Sequence, residues 1–354
     1  MPQLVSELSW QSLTATINDI KSPQAFLQQL LFGRSNTHPT EVLEIGKWFA
    51  GRIMVPFVRK NSQAYPVQGV SKAFRSIEAP NIRVKMSFKP SPLLFGRTPG
   101  TKVFLADGEN QISAVQAHIA MDMQHMADQI TNRIEWMCAE ALTGVITYSQ
   151  DDTDEADSFE FDYARDAGHT IVLAGGNLWD SGTENIAADV RNAKRLVNDA
   201  VGVRVTDAIM GKDAANAFLD SATTRAVLDR RNPEDDTPQI LGGDFRPDGA
   251  YFLGRIHGIN WWEYARSLTD SAGTSAVLVP DDTCFFVSQE AAAGNSLEYA
   301  AIPDMDAFAD GLLQTKRFAK SWVEKDPSAT VALAHSRPFP LMRRPESMVQ
   351  LTVV

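Results

Sequence analysis

The sequence has only two cysteines and six histidines among 354 residues. Cys138 and Cys284 stand far apart and neither belongs to a Cys-x-x-Cys pair, which excludes a disulfide framework and a cysteine-based zinc site. Both thiols are expected to be reduced, buried and inert. No apolar run reaches the length of about 18 residues that a membrane span needs, and no cationic-then-apolar leader follows Met1-Pro2, so neither a span nor a secretory signal is expected. Nucleophile motifs are missing as well. There is no Gly-x-Ser-x-Gly elbow, and none of the histidines sits in a recognisable triad context. Gly211-Lys212 lacks the earlier glycine and the following Ser/Thr of a phosphate loop, and Gly175-Gly176 fits no dinucleotide fingerprint, so both are expected to be turns. Cations are the minority charge, 33 Lys/Arg against 44 Asp/Glu for a net −11. That balance argues against a surface whose main task is to grip nucleic acid. Internal repeats and low-complexity tracts are absent too. What is left gives no reason to nominate a catalytic residue, a cofactor or a metal, and no enzyme is expected.

What is present is a large apolar fraction, 44% of the residues, enough to bury one large core or two to three modest ones. The charge is segregated along the chain. From Glu41 to Gly100 there are ten Lys/Arg and three acids, whereas from Tyr148 to Asp180 there are nine acids and Arg165 alone. Opposed patches on one chain point to contacts between copies, because complementary charge steers encounter and sets register.

The periodicities divide the chain. Apolar residues at Leu4, Leu8, Trp10, Leu13, Ile17 and Ile20, then Phe26, Leu27, Leu30, Leu31 and Phe32, predict short amphipathic helices broken at Pro23. Ile53 to Val58 and Ile82 to Lys89 read as extended segments, the second alternating apolar with mostly basic residues. Taken as a two-stranded ribbon they make no core alone and need a surface beneath them. From about Asn110 to Tyr148, apolar residues from Ile112 to Val145 recur with a mean step of roughly 3.7, which predicts one helix of about ten turns. Beyond it the pattern predicts a strand over 169–173, a helix capped by Thr183 and running to Ala200, a strand over 203–210 and a helix over 212–219. Strand-like runs then follow at 251–264, 276–279, 283–287, 329–334 and 348–354. Apolar leader and basic ribbon alike are expected to be completed by sister copies.

Two sharper readings are outweighed. His118, Asp122 and His125 share a helical face at metal-compatible spacing, but a solvated or inter-subunit face is the commoner explanation. Trp261-Trp262 could stack bases, yet within an apolar strand-like run the pair belongs to core or interface.

The order of elements, with Phe26-Leu27-Gln28-Gln29-Leu30-Leu31-Phe32 before Pro39-Thr40-Glu41-Val42, resembles the major capsid proteins of tailed bacteriophages with the Hong Kong 97-type fold, in their lambda-type branch. Ala79-Pro80-Asn81-Ile82-Arg83-Val84-Lys85, Leu228-Asp229-Arg230-Arg231, Val279-Pro280-Asp281-Asp282-Thr283, Lys320-Ser321-Trp322-Val323 and Ser336-Arg337-Pro338-Phe339-Pro340-Leu341 fall in the same order as similar words of that family. The resemblance implies an α+β chain with an N-terminal arm (1–40), an E-loop region (41–105, the loop itself about 51–92), a P domain with a long spine helix (106–205), an A domain (206–304) and a C-terminal return to the P domain (305–354). It implies hexamers and pentamers of an icosahedral shell around double-stranded DNA, assembled in the host cytoplasm with a scaffolding protein, a portal and a decoration protein, and no cofactor, metal or membrane. An acidic subunit suits a container that must not adhere to its DNA. In the family the E-loop overlies a neighbour's P domain, so Arg75, Arg83, Lys85 and Lys89 are expected to face Asp151, Asp152, Asp154 and Glu155 of the next copy. No local signature identifies a Lys–Asn crosslinking pair. An encapsulin-like shell protein and, in a different class, an α+β hydrolase with an unrecognised site are the alternatives.

Overall fold

The computed structural model describes residues 10–20, 25–49, 71–88, 108–149, 158–229, 244–245, 249–269, 273, 275–309, 314–325 and 328–354. The first half contains α1 (Trp10–Asp19), α2 (Phe26–Leu31), β1 (Ser35–Thr37), β2 (Val42–Phe49), β3 (Ser71–Glu78), β4 (Ile82–Phe88), α3 (Gly108–Thr143), β5 (Val145–Ser149), β6 (Ser158–Asp162) and β7 (Thr170–Val172). After them come α4 (Ile186–Ala200), β8 (Asp207–Met210), α5 (Lys212–Asp220), α6 (Ala222–Asp229), β9 (Asp244–Phe245), β10 (Tyr251–Ile256), β11 (Ile259–Glu263), β12 (Ser267–Thr269), β13 (Ser275–Val277) and β14 (Thr283–Val287). The chain closes with α7 (Gln289–Ala292), β15 (Ser296–Tyr299), α8 (Met305–Ala309), β16 (Phe318–Lys325), β17 (Ser328–Ser336), β18 (Pro338–Leu341) and β19 (Val349–Thr352). No helix among the described residues is long and apolar enough to cross a membrane.

The long amphipathic stretch is one helix, α3, of 36 residues and so about 54 Å long. It stops at Thr143 rather than Tyr148. Gly144 has φ +96°, a left-handed conformation that ends helices and that only glycine adopts cheaply. Val145–Ser149 then pairs with β6 as a hairpin. Helical spacing alone could not mark this end, because a β-branched run after glycine continues the apolar count. Arg165, the one cation of the acidic stretch, closes the helix: its guanidinium donates to the carbonyls of Leu142 and Thr143, both at 2.7 Å, and to Gln350 Oε1 at 2.9 Å. Terminal carbonyls that the helix cannot satisfy thus meet a cation at the negative end of the dipole.

A seven-stranded sheet, β7-β19-β14-β8-β11-β10-β9, divides the core in two. Because side chains alternate along a strand, Ala208, Met210, Cys284, Phe286 and Trp261 enter one core with α4 and α5, while Ile209, Phe285, Val287 and Trp262 enter the other with α2 and α3. The Trp261-Trp262 pair is therefore shared between two interiors. Trp261 stacks on Phe218 at 4.1 Å, and Trp262 donates to Asp207 Oδ1 at 3.0 Å. Both rings are buried and out of reach of a base. Cys138 and Cys284 are free and buried, and burial pushes both thiols well above their ordinary range.

Three local expectations differ from the structure. Asn185, not Thr183, caps α4, its side chain accepting from Ala188 N; Thr183 is instead bonded back to the Gly176 carbonyl. The strand expected over 203–210 pairs only over Asp207–Met210, although Val203 and Val205 are buried in the second core without a ladder. The segment expected to return along the ribbon, β4, instead pairs with β17 in the three-stranded sheet β16-β17-β4. Its apolar face, Ile82, Val84 and Met86, packs on the first core, which is the burial its period-two pattern requires.

The described part of the apolar leader is likewise covered by its own chain, whereas Leu4 and Leu8 lie outside the described residues. Leu13, Ile17, Phe26, Leu27 and Leu31 are buried, and Thr14 Oγ1 both donates to the Ala319 carbonyl and accepts from the Ala319 amide at 3.0 Å, stitching α1 to β16.

Candidate assembly surfaces

The ribbon is β2 paired with β3, Val42 opposite Glu78 and Phe49 opposite Ser71. No third strand joins it among the described residues. One charged side chain clamps its root. Arg337, with no exposed side-chain surface, lies 3.3 Å from Glu41 Oε2 just before β2 and 3.1 Å from Glu78 Oε1 at the end of β3. The same guanidinium donates to the carbonyls of Ala79 and Ala301. Arginine suits this position because its planar fork can serve several acceptors in fixed directions. Leu43 and Ile77, buried in the first core, hold the same root from beneath.

The arm is fastened by Glu135 of α3, which is fully buried. Its carboxylate accepts from the amides of Leu27 (2.8 Å) and Gln28 (3.2 Å) and from the Tyr264 hydroxyl (2.9 Å). Ala25, the N-cap of α2, offers no side-chain cap, so a residue over a hundred positions away supplies it. Burial pushes the Glu135 carboxyl above its ordinary value, against the pull of the two amides, the Tyr264 hydroxyl and Arg266.

The basic residues nominated from sequence fall in different places. Arg83 and Lys85 lie on the exposed side of β4. Lys85 reaches Glu324 of its own chain at 3.4 Å and lies over the Trp322 ring at 5.7 Å. Both members of this ion pair are well exposed, so water and salt weaken it. Arg75 sits in β3 opposite Ile45, its side chain outside the described residues, as are Lys89 and the acidic Asp151, Asp152, Asp154 and Glu155. Ile53–Val58, the other strand nominated for the ribbon, also lies outside them. His125 is exposed on α3 and Asp122 is half-buried. Sequence reasoning missed Arg337, Glu135 and Arg165. The signal available was a charge inside an apolar context, Ser336-Arg337-Pro338 above all, where a lone cation among buried residues calls for several partners.

Residues 9–353 match the family described as Phage major capsid protein E. The chain belongs to this family. The capsid protein is also similar to two solved structures. One is a candidate capsid protein of prophage from Escherichia coli CFT073, with 19% identity, TM-score 0.71 and coverage of 98% of this chain and 99% of that one. The other is a phage-related protein of Bordetella bronchiseptica RB50, with 10% identity, TM-score 0.50 and coverage of 96% and 95%. No curated protein matches the sequence.

The capsid protein is thus a structural subunit of a tailed-phage icosahedral head, with the α+β Hong Kong 97-type fold. It assembles with copies of itself and is located in the virion capsid. The hydrolase alternative falls with the family, which is structural and not enzymatic, and the encapsulin alternative is the less supported of the two shell readings.

Proposed function

We propose that the capsid protein builds its shell, as hexamers and pentamers, by laying the β2–β3 ribbon of each copy across the P domain of a neighbour. Arg75, Arg83, Lys85 and Lys89 form the basic side of that contact, and Asp151, Asp152, Asp154 and Glu155 of the neighbour the acidic side. The observation that carries this reading is a two-stranded ribbon held to its own chain at the root by Arg337. Such a ribbon is marginal alone and gains stability from a surface it does not itself supply. β4, which follows that root in the chain, carries Arg83 and Lys85 on its exposed side, and the weak pair of Lys85 with Glu324 is readily exchanged for a neighbour's carboxylate.

The finer members of the picture belong to the same proposal: a lambda-type branch, the E-loop, P-domain and A-domain division, assembly in the host cytoplasm on a scaffolding protein around a portal, and a decoration protein on the finished head. Light scattering of assembling subunits tests the contact. Arg75→Glu with Lys89→Glu slows assembly at least tenfold, and Asp151→Lys with Asp154→Lys restores it. Assembly at the wild-type rate in the Arg75/Lys89 variant removes the contact.

A further inference from the structure

Where β1 joins the body, three arginines are among the residues that line a cleft of 360 Å³. Arg34, Asn36, Glu290, Ser296, Arg343 and Arg344 are among its lining residues. Three cations against one acid is the reverse of the balance of the whole chain, which carries −11. The backbone fixes this gathering. The Leu297 amide donates to the Arg34 carbonyl at 2.8 Å, and the Arg343 amide donates to Asn295 Oδ1 at 3.3 Å, so both flanks of the cleft are tied to the start of β15. The acid nearest in sequence to β15's start, Glu298, is already engaged by Asn36 at 3.0 Å and His38 at 2.6 Å. Neither Arg34 nor Arg344 makes an ion pair with a described residue.

Beside the cleft, β1 is an outer strand of the sheet β1-β15-β18. Its far edge has no strand partner among the described residues, so its free amides and carbonyls can receive an extended segment.

We propose that this arginine cleft is an oxyanion dock in which an extended acidic segment of a second copy of the chain places one or two carboxylates while running along the edge of β1. Guanidinium forks match carboxylates in geometry as well as charge. A recess of this size admits side chains, whereas duplex phosphates lie on a convex rod and meet protruding cations. Glu290 inside the recess opposes a polyanion but can pair with a cation of a mixed protein segment. Every copy in the shell brings an excess of carboxylates to its neighbours, 44 acids against 33 Lys/Arg.

The proposal rests on self-assembly of this family and not on the ribbon contact. Shells are formed from equal parts of isotopically light and heavy copies, with Ser35 replaced by a photo-crosslinking residue. Mass spectrometry is expected to find light–heavy crosslinked peptides rich in Asp and Glu. The pair Arg34→Glu with Arg344→Glu cuts their yield at least tenfold with the subunit melting temperature unchanged, and Arg34→Lys with Arg344→Lys retains part of it. The ribbon variant Arg75→Glu with Lys89→Glu leaves the crosslink intact in whatever assemblies it forms, which separates the two contacts. Crosslinks confined to single copies, adducts to DNA, or stabilisation of the free subunit by inorganic phosphate without any light–heavy crosslink would each overturn the dock.

Discussion

Glu135 joins three parts of the molecule through one carboxylate: the first turn of α2, the long helix α3 and Tyr264 beyond β11. Replacing it by alanine strands two amides and a hydroxyl in an interior that water does not reach, and each buried unsatisfied group costs about 1–3 kcal/mol. Glu135→Ala is expected to lower subunit stability by about 3 kcal/mol or more in urea unfolding. A loss of a few tenths would mean that the arm is held by its apolar contacts alone. His335 makes a pH-dependent contribution. Its ring is buried and bonds to Asn81 Oδ1 at 3.1 Å; burial first, then the nearby Arg83 and Arg337, pushes its pKa down to about 4. A depressed imidazole value means that the fold favours the neutral ring. Stability is therefore complete above the ordinary value near 6.5 and is lost as pH falls from there to about 4. The loss is on the order of 3 kcal/mol. Unfolding curves of wild type and His335→Gln taken between those pH values should diverge by that amount; parallel curves would exclude His335 as the source.

Among the elements, the ribbon root is where a single change has the most specific effect. Arg337→Met keeps the volume of the side chain but removes every donor, leaving the buried carbonyls of Ala79 and Ala301 without a partner while Glu41 and Glu78 turn to water. A cost of about 2–3 kcal/mol is expected, together with faster hydrogen exchange along β2 and β3, by tenfold or more. If stability falls but ribbon exchange does not change, Arg337 supports the core and not the ribbon. The elements themselves were readable to different degrees, for physical reasons. Helix α3 and strand β14 were legible because each has a strong period or a continuous apolar run, and α5 because a turn glycine precedes it. Gly211 is that glycine: a Cβ there would stand 2.2 Å from the Pro280 carbonyl, so the close approach of β14's lead-in requires its absence. Strand pairing was not legible. The alternation of Ile82 to Phe88 predicts a half-buried strand, but the strand it pairs with lies some 250 residues away in β17, and local pattern carries no record of such a distance. The root clamp and the arm clamp share this character, since Arg337 and Glu135 act on residues remote in sequence.

At the scale of the molecule, burial of the arm by its own chain does not decide whether copies assemble. A subunit can complete α1, α2 and β4 internally and still present a ribbon and an arginine-lined recess to others. What distinguishes the two situations is which backbone becomes protected only on assembly. Among the described residues the ribbon of the free subunit has one ladder and is held only at its root, so its amides should exchange through low-energy local openings, whereas β8 and β14 at the centre of the seven-stranded sheet open only with the whole fold. If the ribbon lies across a neighbour, assembly adds the free energy of that contact to the opening of β2 and β3 and leaves β8 and β14 nearly as they were. Hydrogen exchange of free subunits and of shells is therefore expected to show slowing of at least tenfold confined to 42–49 and 71–78. The slowing should shrink as ionic strength is raised during assembly, because the proposed partners are charged and exposed. Equal protection of those strands in the free subunit and in the shell would mean that the ribbon rests on its own body, and the charge segregation along the chain would then need another partner.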